Sequence, residues 1–225
     1  MLLQALIYVI TTLGGLLSLA LLLRFMLQLV RAPARNQLSA FVAALTNFIV
    51  LPARRVIPGL WGLDLATLVL AWLTELSQIW LVLAIKGYEP GPAVGITLVA
   101  LGALAAVQLA KLTIYIVMVA IVLQAVLSWV NPYSPLAPLL TSVTRPLLRP
   151  FQRIIPLVSN VDLSPLAALF ACQLLLILPL AWLARVPVPI ASHHGVTDNL
   201  PRWRETFNTL LVNHSIASIL VVVSD

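Results

Sequence analysis

The chain is poor in charged residues and almost free of cysteine. Only 9% of its 225 residues are charged and 61% are hydrophobic, whereas an average soluble domain has roughly 25% charged residues. This deficit of charge excludes an ordinary water-soluble surface. The one cysteine, Cys172, excludes an internal disulfide, and its place in an apolar run indicates a small packing residue.

Sequence signatures of catalysis are missing as well. The chain has no glycine-rich phosphate-binding loop, no zinc-protease signature and no serine nucleophile elbow. His193, His194 and His214 have no Cys, Asp or Glu at a ligand-like spacing. We therefore expect a protein that is not an enzyme and that has neither a metal site nor a cofactor.

The net charge of +6 is carried by basic residues, mostly arginines, that stand between apolar runs. A nucleic-acid-binding protein clusters its basic residues on one face, whereas this pattern is typical of a protein that faces anionic lipid headgroups. We expect membrane lipids as partners and no direct binding of nucleic acid. An unknown membrane or cytoplasmic protein partner and a homo-oligomer both stay open.

Long apolar runs predict membrane-spanning helices, each of which needs about 20 residues. The first run has no early Lys or Arg, so it is interpreted as a retained span rather than a cleaved signal peptide. The predicted spans are Leu2–Leu23, Leu63–Ile85, one within Val94–Val130, and Val161–Leu183.

The sequence repeats itself after 98 residues. Leu38–Leu65 aligns without a gap on Leu136–Leu163 and gives eight identities in 28 positions, where about two would arise by chance from ordinary composition. The same shift predicts that Val94–Val130 is a single span with an N-terminal extension. The resulting division is repeat 1 at 1–86, a loop and helix extension at 87–98, repeat 2 at 99–185, and a tail of unknown structure at 186–225.

The orientation of the chain follows from its arginines. Each repeat crosses the membrane twice, so both repeats enter it from the same side and are parallel. The opposite side has only Lys86 and Glu89 between the repeats. The positive-inside rule therefore makes the two connections cytoplasmic and puts both termini outside a bacterial plasma membrane. The arginines at the connections are Arg24, Arg31, Arg35, Arg54, Arg55, Arg145, Arg149 and Arg153.

Each connection carries an apolar stripe with the spacing of an amphipathic helix. Neither stripe is long enough or apolar enough to span, so we expect each helix to lie in the interface with its apolar face in the acyl boundary. The predicted fold class is an all-α membrane protein, with four transmembrane helices in two parallel two-helix repeats and one interfacial helix in each connection. The stripes are Leu38, Phe41, Val42, Leu45, Phe48 and Ile49, then Leu136, Leu139, Leu140, Val143 and Leu147.

A basic segment bounded by prolines follows each stripe, at Pro52–Pro58 and at Pro150–Pro156. Because proline fixes φ and lacks an amide hydrogen, the chain is expected to turn at both ends of each segment. Arginines here fit phosphate through forked hydrogen bonds. Anchoring to lipid headgroups and docking of a cytoplasmic partner both stay open. The residues assigned to this contact are Arg54, Arg55, Arg149 and Arg153.

Polar residues mark further positions in the spans. Asp64 and Asp162 begin the second helix of each repeat and are predicted to cap it. Glu75 lies near the bilayer midplane, and the residue 98 positions later is Gln173. An intramembrane carboxylate indicates transport, whereas a polar residue at matched depth in both repeats fits hydrogen bonding between helices. Lys111 is expected to snorkel to the outer interface, away from Glu75.

Ordered motifs in the second repeat permit a comparison with known families. They are Leu127–Leu136 (LSWVNPYSPL), Thr144–Phe151 (TRPLLRPF), Arg153–Pro156 (RIIP) and Val161–Pro165 (VDLSP). In this combination the chain resembles the YggT/YlmG family of small membrane proteins. The first repeat has a looser copy, in which Asn36-Gln37 replaces the family's Asn-Pro. The resemblance covers roughly residues 1–185.

The resemblance implies a role in an envelope or organelle membrane without an established catalytic activity. The roles it implies are osmotic-stress tolerance, cell division and morphology, and, in plastids, nucleoid distribution or cytochrome assembly. We therefore expect a non-enzymatic protein that supports envelope processes through its basic interfacial segments. The alternative is a small transporter or channel component with Glu75 as the intramembrane ionisable site.

Overall fold

The computed structural model of the chain describes residues 2–30, 37–57, 64–90, 94–131, 133–134, 136–154, 164–183 and 190–192. These residues form six helices and two short strands. The helices are α1 Leu2–Leu29, α2 Gln37–Val56, α3 Leu65–Ile85, α4 Val94–Val130, α5 Ala137–Ile154 and α6 Ser164–Leu183. The strands are β1 Tyr88–Pro90 and β2 Ile190–Ser192.

Four of these helices, α1 to α4, are long and apolar enough to cross a membrane. Helix α6 has 20 residues, which is about 30 Å of helix and matches the hydrocarbon thickness of a bilayer. The chain is therefore a multi-pass membrane protein, and the predicted all-α fold class is confirmed. By length and composition alone, α2 is not too short or too polar to span, so that part of the expectation for the first connection is wrong. The place of α2 in the membrane interface stays a prediction.

Helices α2 and α5 both continue through prolines, and at two of these, Pro52 and Pro150, the chain was expected to turn. Pro52 lies inside α2, and Pro146 and Pro150 lie inside α5. All three prolines are exposed. Proline has no amide hydrogen, so the carbonyl four residues before each proline has no intrahelical donor. Residues four apart share a helix face, so these carbonyl groups lie toward the exposed side of the helix. The expected turns at Pro52 and Pro150 are therefore wrong.

Helix α4 is one continuous helix of 37 residues. This confirms that Val94–Val130 holds a single span with an N-terminal extension. Gly102 lets the indole of Trp72 in α3 approach closely, since a Cβ added at Gly102 would lie 3.1 Å from the Trp72 Cζ2 atom. The Trp72 Nε1–H donates a hydrogen bond to the Gly102 carbonyl at 3.0 Å. The glycine thus serves packing between helices and does not break α4.

A two-stranded antiparallel ribbon joins the loop after α3 to the segment after α6. Tyr88 pairs with Ser192 and Pro90 with Ile190. Gly87, between α3 and β1, has a φ of 76°, a left-handed conformation that glycine adopts without steric cost. The sequence did not predict this ribbon, which gives the beginning of the tail a defined backbone partner.

The chain divides into two compact units, and each takes segments from both sequence repeats. One unit contains Ala20–Leu70 and Lys111–Leu178, and we call it the connection unit because it holds α2 and α5. The other contains the described residues of Met1–Leu19 and Ala71–Ala110, together with 179–183 and 190–192, and we call it the ribbon unit. The unit boundaries fall inside helices, and they do not coincide with the division into repeats.

Two apolar clusters organise the connection unit. In the first, Met26 and Leu27 of α1 pack with Ala120 of α4 and with Leu139 and Val143 of α5. The second cluster brings together α4, α5 and α6 through Ile121, Leu148 and Ala168. Helix α5 is therefore held on its apolar side by three spans, and this fixes the direction of its other side.

Candidate functional site

A buried carboxylate stands at the start of α3. Asp64 directly precedes this helix, is 5% exposed, and accepts the Thr67 amide hydrogen with its backbone carbonyl at 3.0 Å. Its Oδ2 atom accepts hydrogen bonds from the Thr67 hydroxyl at 2.6 Å and from Arg54, whose Nε lies at 3.0 Å and Nη2 at 2.5 Å. Asp64 thus occupies the N-cap position of α3, and Arg54 ties the end of α2 to it.

The hydrogen bonds of Asp64 decide its charge. Burial alone would raise the pKa of the carboxyl, because desolvation disfavours the ionised form. The hydrogen bonds from Arg54 and Thr67 outweigh burial and hold the pKa of Asp64 below its ordinary value of 3.8. Asp64 is therefore ionised at neutral pH, with Arg54 as its counter-ion.

The four arginines that were predicted to contact phosphate or a partner have different surroundings. Arg54 is half-exposed and is engaged with Asp64, so part of its hydrogen-bonding capacity is used inside the protein. Arg55, Arg149 and Arg153 are exposed. Sequence reasoning missed the pairing of Arg54 with Asp64, although two opposite charges on either side of a short connection were a signal for it.

Helix α5 has an apolar side and a basic side. Leu139 and Val143 are buried against α1 and α4, whereas Arg145, Arg149 and Arg153 are exposed and share one face at intervals of four residues. The expectation that the apolar face of α5 lies in the acyl boundary is therefore wrong, since protein covers it. We call the side formed by Arg145, Arg149 and Arg153 the basic face of α5.

Helix α2 has a different outward side. Its buried side consists of Val42, Thr46 and Val50, and its outward side carries Phe41 and Phe48, which are 62% and 69% exposed. An exposed aromatic stripe beside a basic helix end is typical of a helix in the membrane interface. The expectation of an open apolar face is therefore wrong for the Val42 side of α2, which protein covers. Contact of the exposed Phe41 side with lipid stays a prediction.

Arg24 is the polar residue of α1 that contacts α2. Its Nη1 atom donates to the Thr46 hydroxyl at 2.7 Å and to the Asn47 side-chain carbonyl at 2.9 Å. Thr46 is fully buried and in turn donates to the Val42 carbonyl at 2.7 Å. Arg24 therefore serves as a polar clamp between α1 and α2. One sequence feature indicated a polar contact here, because a threonine stands at the same position of both repeats inside an otherwise apolar stripe.

The intramembrane polar residues lie in unlike environments. Glu75 is half-buried in α3, whereas Gln173 in α6 is exposed. Lys111 is 1% exposed, so its ammonium is enclosed by protein and the expected snorkelling to the outer interface is wrong. Glu75 and Lys111 each have an interaction partner. The role of the Glu75 and Gln173 positions stays a prediction.

Several predicted features lie outside the described residues. These are Asp162, the arginines Arg31 and Arg35, and the three histidines. Within the helices and strands that the structure describes, His, Cys, Asp and Glu side chains form no group of three that could hold a metal ion. The candidate site therefore consists of the basic ends of α2 and α5 and the buried carboxylate of Asp64.

Comparisons with known proteins agree with this architecture. A family model described as CCB3/YggT matches residues 3–85 and 103–183, which fits a tandem repeat. An uncharacterized protein of Pseudomonas aeruginosa is 40% identical over 173 residues, which cover 76% of this chain and 86% of that protein. The uncharacterized protein YggT of Escherichia coli is 32% identical over 164 residues, covering 72% of this chain and 82% of that protein. No solved structure matches the chain.

Proposed function

The chain belongs to the CCB3/YggT family, and we propose that it is a non-enzymatic protein that supports processes of the bacterial plasma membrane, such as cell division or tolerance of osmotic stress. It acts in this proposal by presenting the basic face of α5 to anionic lipid or to an acidic partner. The observation that carries the proposal is the position of that face. Helix α5 is held on its apolar side by buried contacts and exposes Arg145, Arg149 and Arg153 on the other.

The chemistry of the basic face supports recognition of phosphate or carboxylate groups. A guanidinium forms forked, charge-assisted hydrogen bonds with both. A basic residue near an anionic membrane surface contributes about 1 kcal/mol of attraction, so three arginines on one fixed face contribute about 3 kcal/mol before screening. Since α5 is clamped by three spans, little conformational entropy is lost when this face binds.

The proposed orientation places α2 and α5 at the cytoplasmic surface and both termini outside. It is supported by the exposed arginines Arg55, Arg145, Arg149 and Arg153, which all belong to the two connections. The positive-inside rule counts such residues near the ends of spans. The exposed apolar side of α2 then lies at the depth of the acyl boundary.

The test of this proposal uses a strain that lacks the chromosomal copy. A triple variant, Arg145→Gln with Arg149→Gln and Arg153→Gln, should insert at normal abundance yet fail to restore cell length and growth at high osmolarity. The control, Lys86→Gln, removes a charge on the opposite side and should restore both. Restoration by the triple variant would contradict a role for the basic face. Cysteine labelling checks that the variant keeps its orientation.

A transporter or channel component is the second candidate. Its support is Glu75, a half-buried carboxylate within the apolar helix α3, because such residues are costly in a bilayer and mark ion or proton paths. The two candidates differ in what they need from this position. Transport needs an ionisable carboxylate, whereas hydrogen bonding between helices needs only polar atoms.

A further inference from the structure

The ribbon unit contains a cavity of about 730 Å³ among α1, α3 and α4. Sites for small organic molecules are commonly about 300–1,000 Å³, mostly apolar, with a few polar groups that fix orientation. The polar side chains that line this cavity are Thr74, Ser77 and Gln78, all on α3. Its apolar lining includes Ile10, Leu17, Leu73, Leu81, Leu98 and Leu101.

Gln78 is the unusual residue of this lining. Its side chain is 7% exposed, and neither its Nε2 nor its Oε1 atom has a hydrogen-bond partner within the described part of the chain. Gly14 of α1 makes room for it, because a Cβ added at Gly14 would lie 2.4 Å from the Gln78 Cδ atom. The absence of a side chain at Gly14 therefore leaves room for this amide, whose two unpartnered polar atoms are buried directly behind the cavity lining.

An unpaired amide in an apolar environment loses its hydrogen bonds to water without compensation. Ordered water would satisfy it only where about two to four polar groups hold that water. The polar side chains beside Gln78 offer little, since the Ser77 hydroxyl already donates to the Thr74 carbonyl at 2.8 Å. A bound molecule with its own polar end is the better partner for this amide.

The Gln78 amide also determines which polar group a bound molecule needs in order to pair with it. It presents a donor and an acceptor side by side, and a protonated carboxyl group presents the complementary pair. Gln78 lies seven residues before Ile85, the end of α3, hence about 10 Å along the helix from that end. A charged headgroup does not reach that depth without a large desolvation cost, whereas low polarity favours the neutral form of a carboxylic acid.

We propose that this cavity binds one long-chain fatty acid in its protonated form, and that the Gln78 side chain turns toward the cavity so that its amide pairs with the carboxyl group by two hydrogen bonds. The hydrocarbon chain lies along the apolar lining, which includes Leu98 and Leu101. Gly14 acts as a specificity residue because any larger side chain displaces the amide. This proposal does not depend on the function proposed for the basic face of α5.

The proposal is tested by titrating the purified full chain in detergent with palmitic acid and reading the bound acid by intact mass. We expect saturable binding of one acid per chain. Gln78→Leu should weaken binding at least about tenfold, and methyl palmitate, which lacks the donor, should bind wild type at least about tenfold more weakly than the acid does. Gln173→Leu is the matched control, because Gln173 is exposed, and it should bind like wild type.

Three results would overturn the proposal. The first is equal binding of palmitic acid and its methyl ester, and the second is unchanged binding by Gln78→Leu. The third is a change in oligomeric state that depends on Gln78 and occurs without bound acid, because it would mean that the amide pairs two copies of the chain. Folding of Gln78→Leu is checked by its melting temperature, which should not fall, because the substitution removes an unpaired buried amide. Leu98→Trp, which fills the cavity from α4, gives a second test and should also abolish binding.

Discussion

Thr46 and Thr144 lie 98 residues apart and have matching surroundings in the two repeats. Both are fully buried, and both hydroxyls bond to the carbonyl four residues earlier, at 2.7 Å to Val42 and 2.9 Å to Leu140. Each hydroxyl also contacts a polar side chain of the preceding span, Arg24 for Thr46 and Gln124 for Thr144. The duplication thus preserves a polar contact between a span and its connection helix, while the partner changes from a cation to an amide.

The threonine hydroxyls should contribute to stability, and Thr46 more than Thr144. We expect Thr46→Val, which leaves the Arg24 guanidinium short of one acceptor, to destabilise the protein by about 1–3 kcal/mol. Thr144→Val leaves a neutral amide instead and should cost less. Melting temperatures in detergent measure both effects, and the serine variants, which keep the hydroxyl, are the controls. A larger effect at Thr144 would contradict this account.

The carboxylate of Asp64 predicts a loss of stability in acid. Its folded-state pKa is lowered, so its stabilisation is fully present above the unfolded value of 3.8 and is lost as pH falls through the folded pKa. As the pH falls below about 5, the melting temperature of wild type should therefore fall more steeply than that of Asp64→Asn. Arg54→Gln should lose stability at neutral pH and flatten the same curve. Parallel curves for wild type and Asp64→Asn would show that this carboxylate does not couple to folding.

Glu75 separates the two candidate functions. Glu75→Gln keeps the length and the polar atoms of the side chain, so we expect nearly normal membrane abundance and nearly normal growth at high osmolarity. Glu75→Leu, which removes the hydrogen-bonding atoms from a half-buried position, should lower abundance. If Glu75→Gln instead lost activity at normal abundance, an ionisable group would be required and ion or proton movement would be favoured.

The helical architecture could be predicted because its signals are local. Apolar run length gives the spans, and the 98-residue shift shows that α4 continues past Gly102. The partner of an amphipathic face is not a local property. The stripe with Leu139 and Val143 shows that one side of α5 is apolar, but either lipid or protein satisfies such a face, and here protein covers it.

The candidate site could be predicted only in part, for a similar reason. Repeat identities pointed to Arg55 and Arg153, and the helix start pointed to Asp64. Whether an arginine of α2 is exposed or forms an ion pair depends on how α2 packs against α3. This packing brings Arg54 into an ion pair with Asp64. The cavity beside Gln78 forms between three helices, so nothing in the α3 sequence alone indicates it.

The orientation of the connections can be tested by cysteine labelling in intact cells. In a background with Cys172→Ala, we expect Ala40→Cys in α2 and Thr141→Cys in α5 to resist an impermeant thiol reagent, because both exposed sites belong to the cytoplasmic side in the proposed orientation. Lys86→Cys, on the opposite side, should be labelled. Permeabilised cells provide the check that all three thiols are reactive. Labelling of the first two sites in intact cells would reverse the orientation.

The basic segments raise the question of whether charge alone matters. Arg55 and Arg153 coincide under the 98-residue shift, and both are exposed. If they are topology signals only, lysine should replace them fully, because charge is retained. If they recognise phosphate or an acidic partner through forked hydrogen bonds, lysine is a poor substitute, since its ammonium is a compact point charge.

We expect the double variant Arg55→Lys with Arg153→Lys to insert with the wild-type orientation and abundance, yet to restore growth at high osmolarity only in part. The comparison variant is Arg55→Gln with Arg153→Gln, which removes the charge together with the guanidinium, and it should restore growth still less. A count of charges would not need arginine at the same position in both copies. A shortfall of the lysine variant against wild type therefore measures the need for guanidinium geometry, and the further loss in the glutamine variant measures the need for charge. Full restoration by the first variant would leave simple anchoring to headgroups as the better account of Arg55 and Arg153.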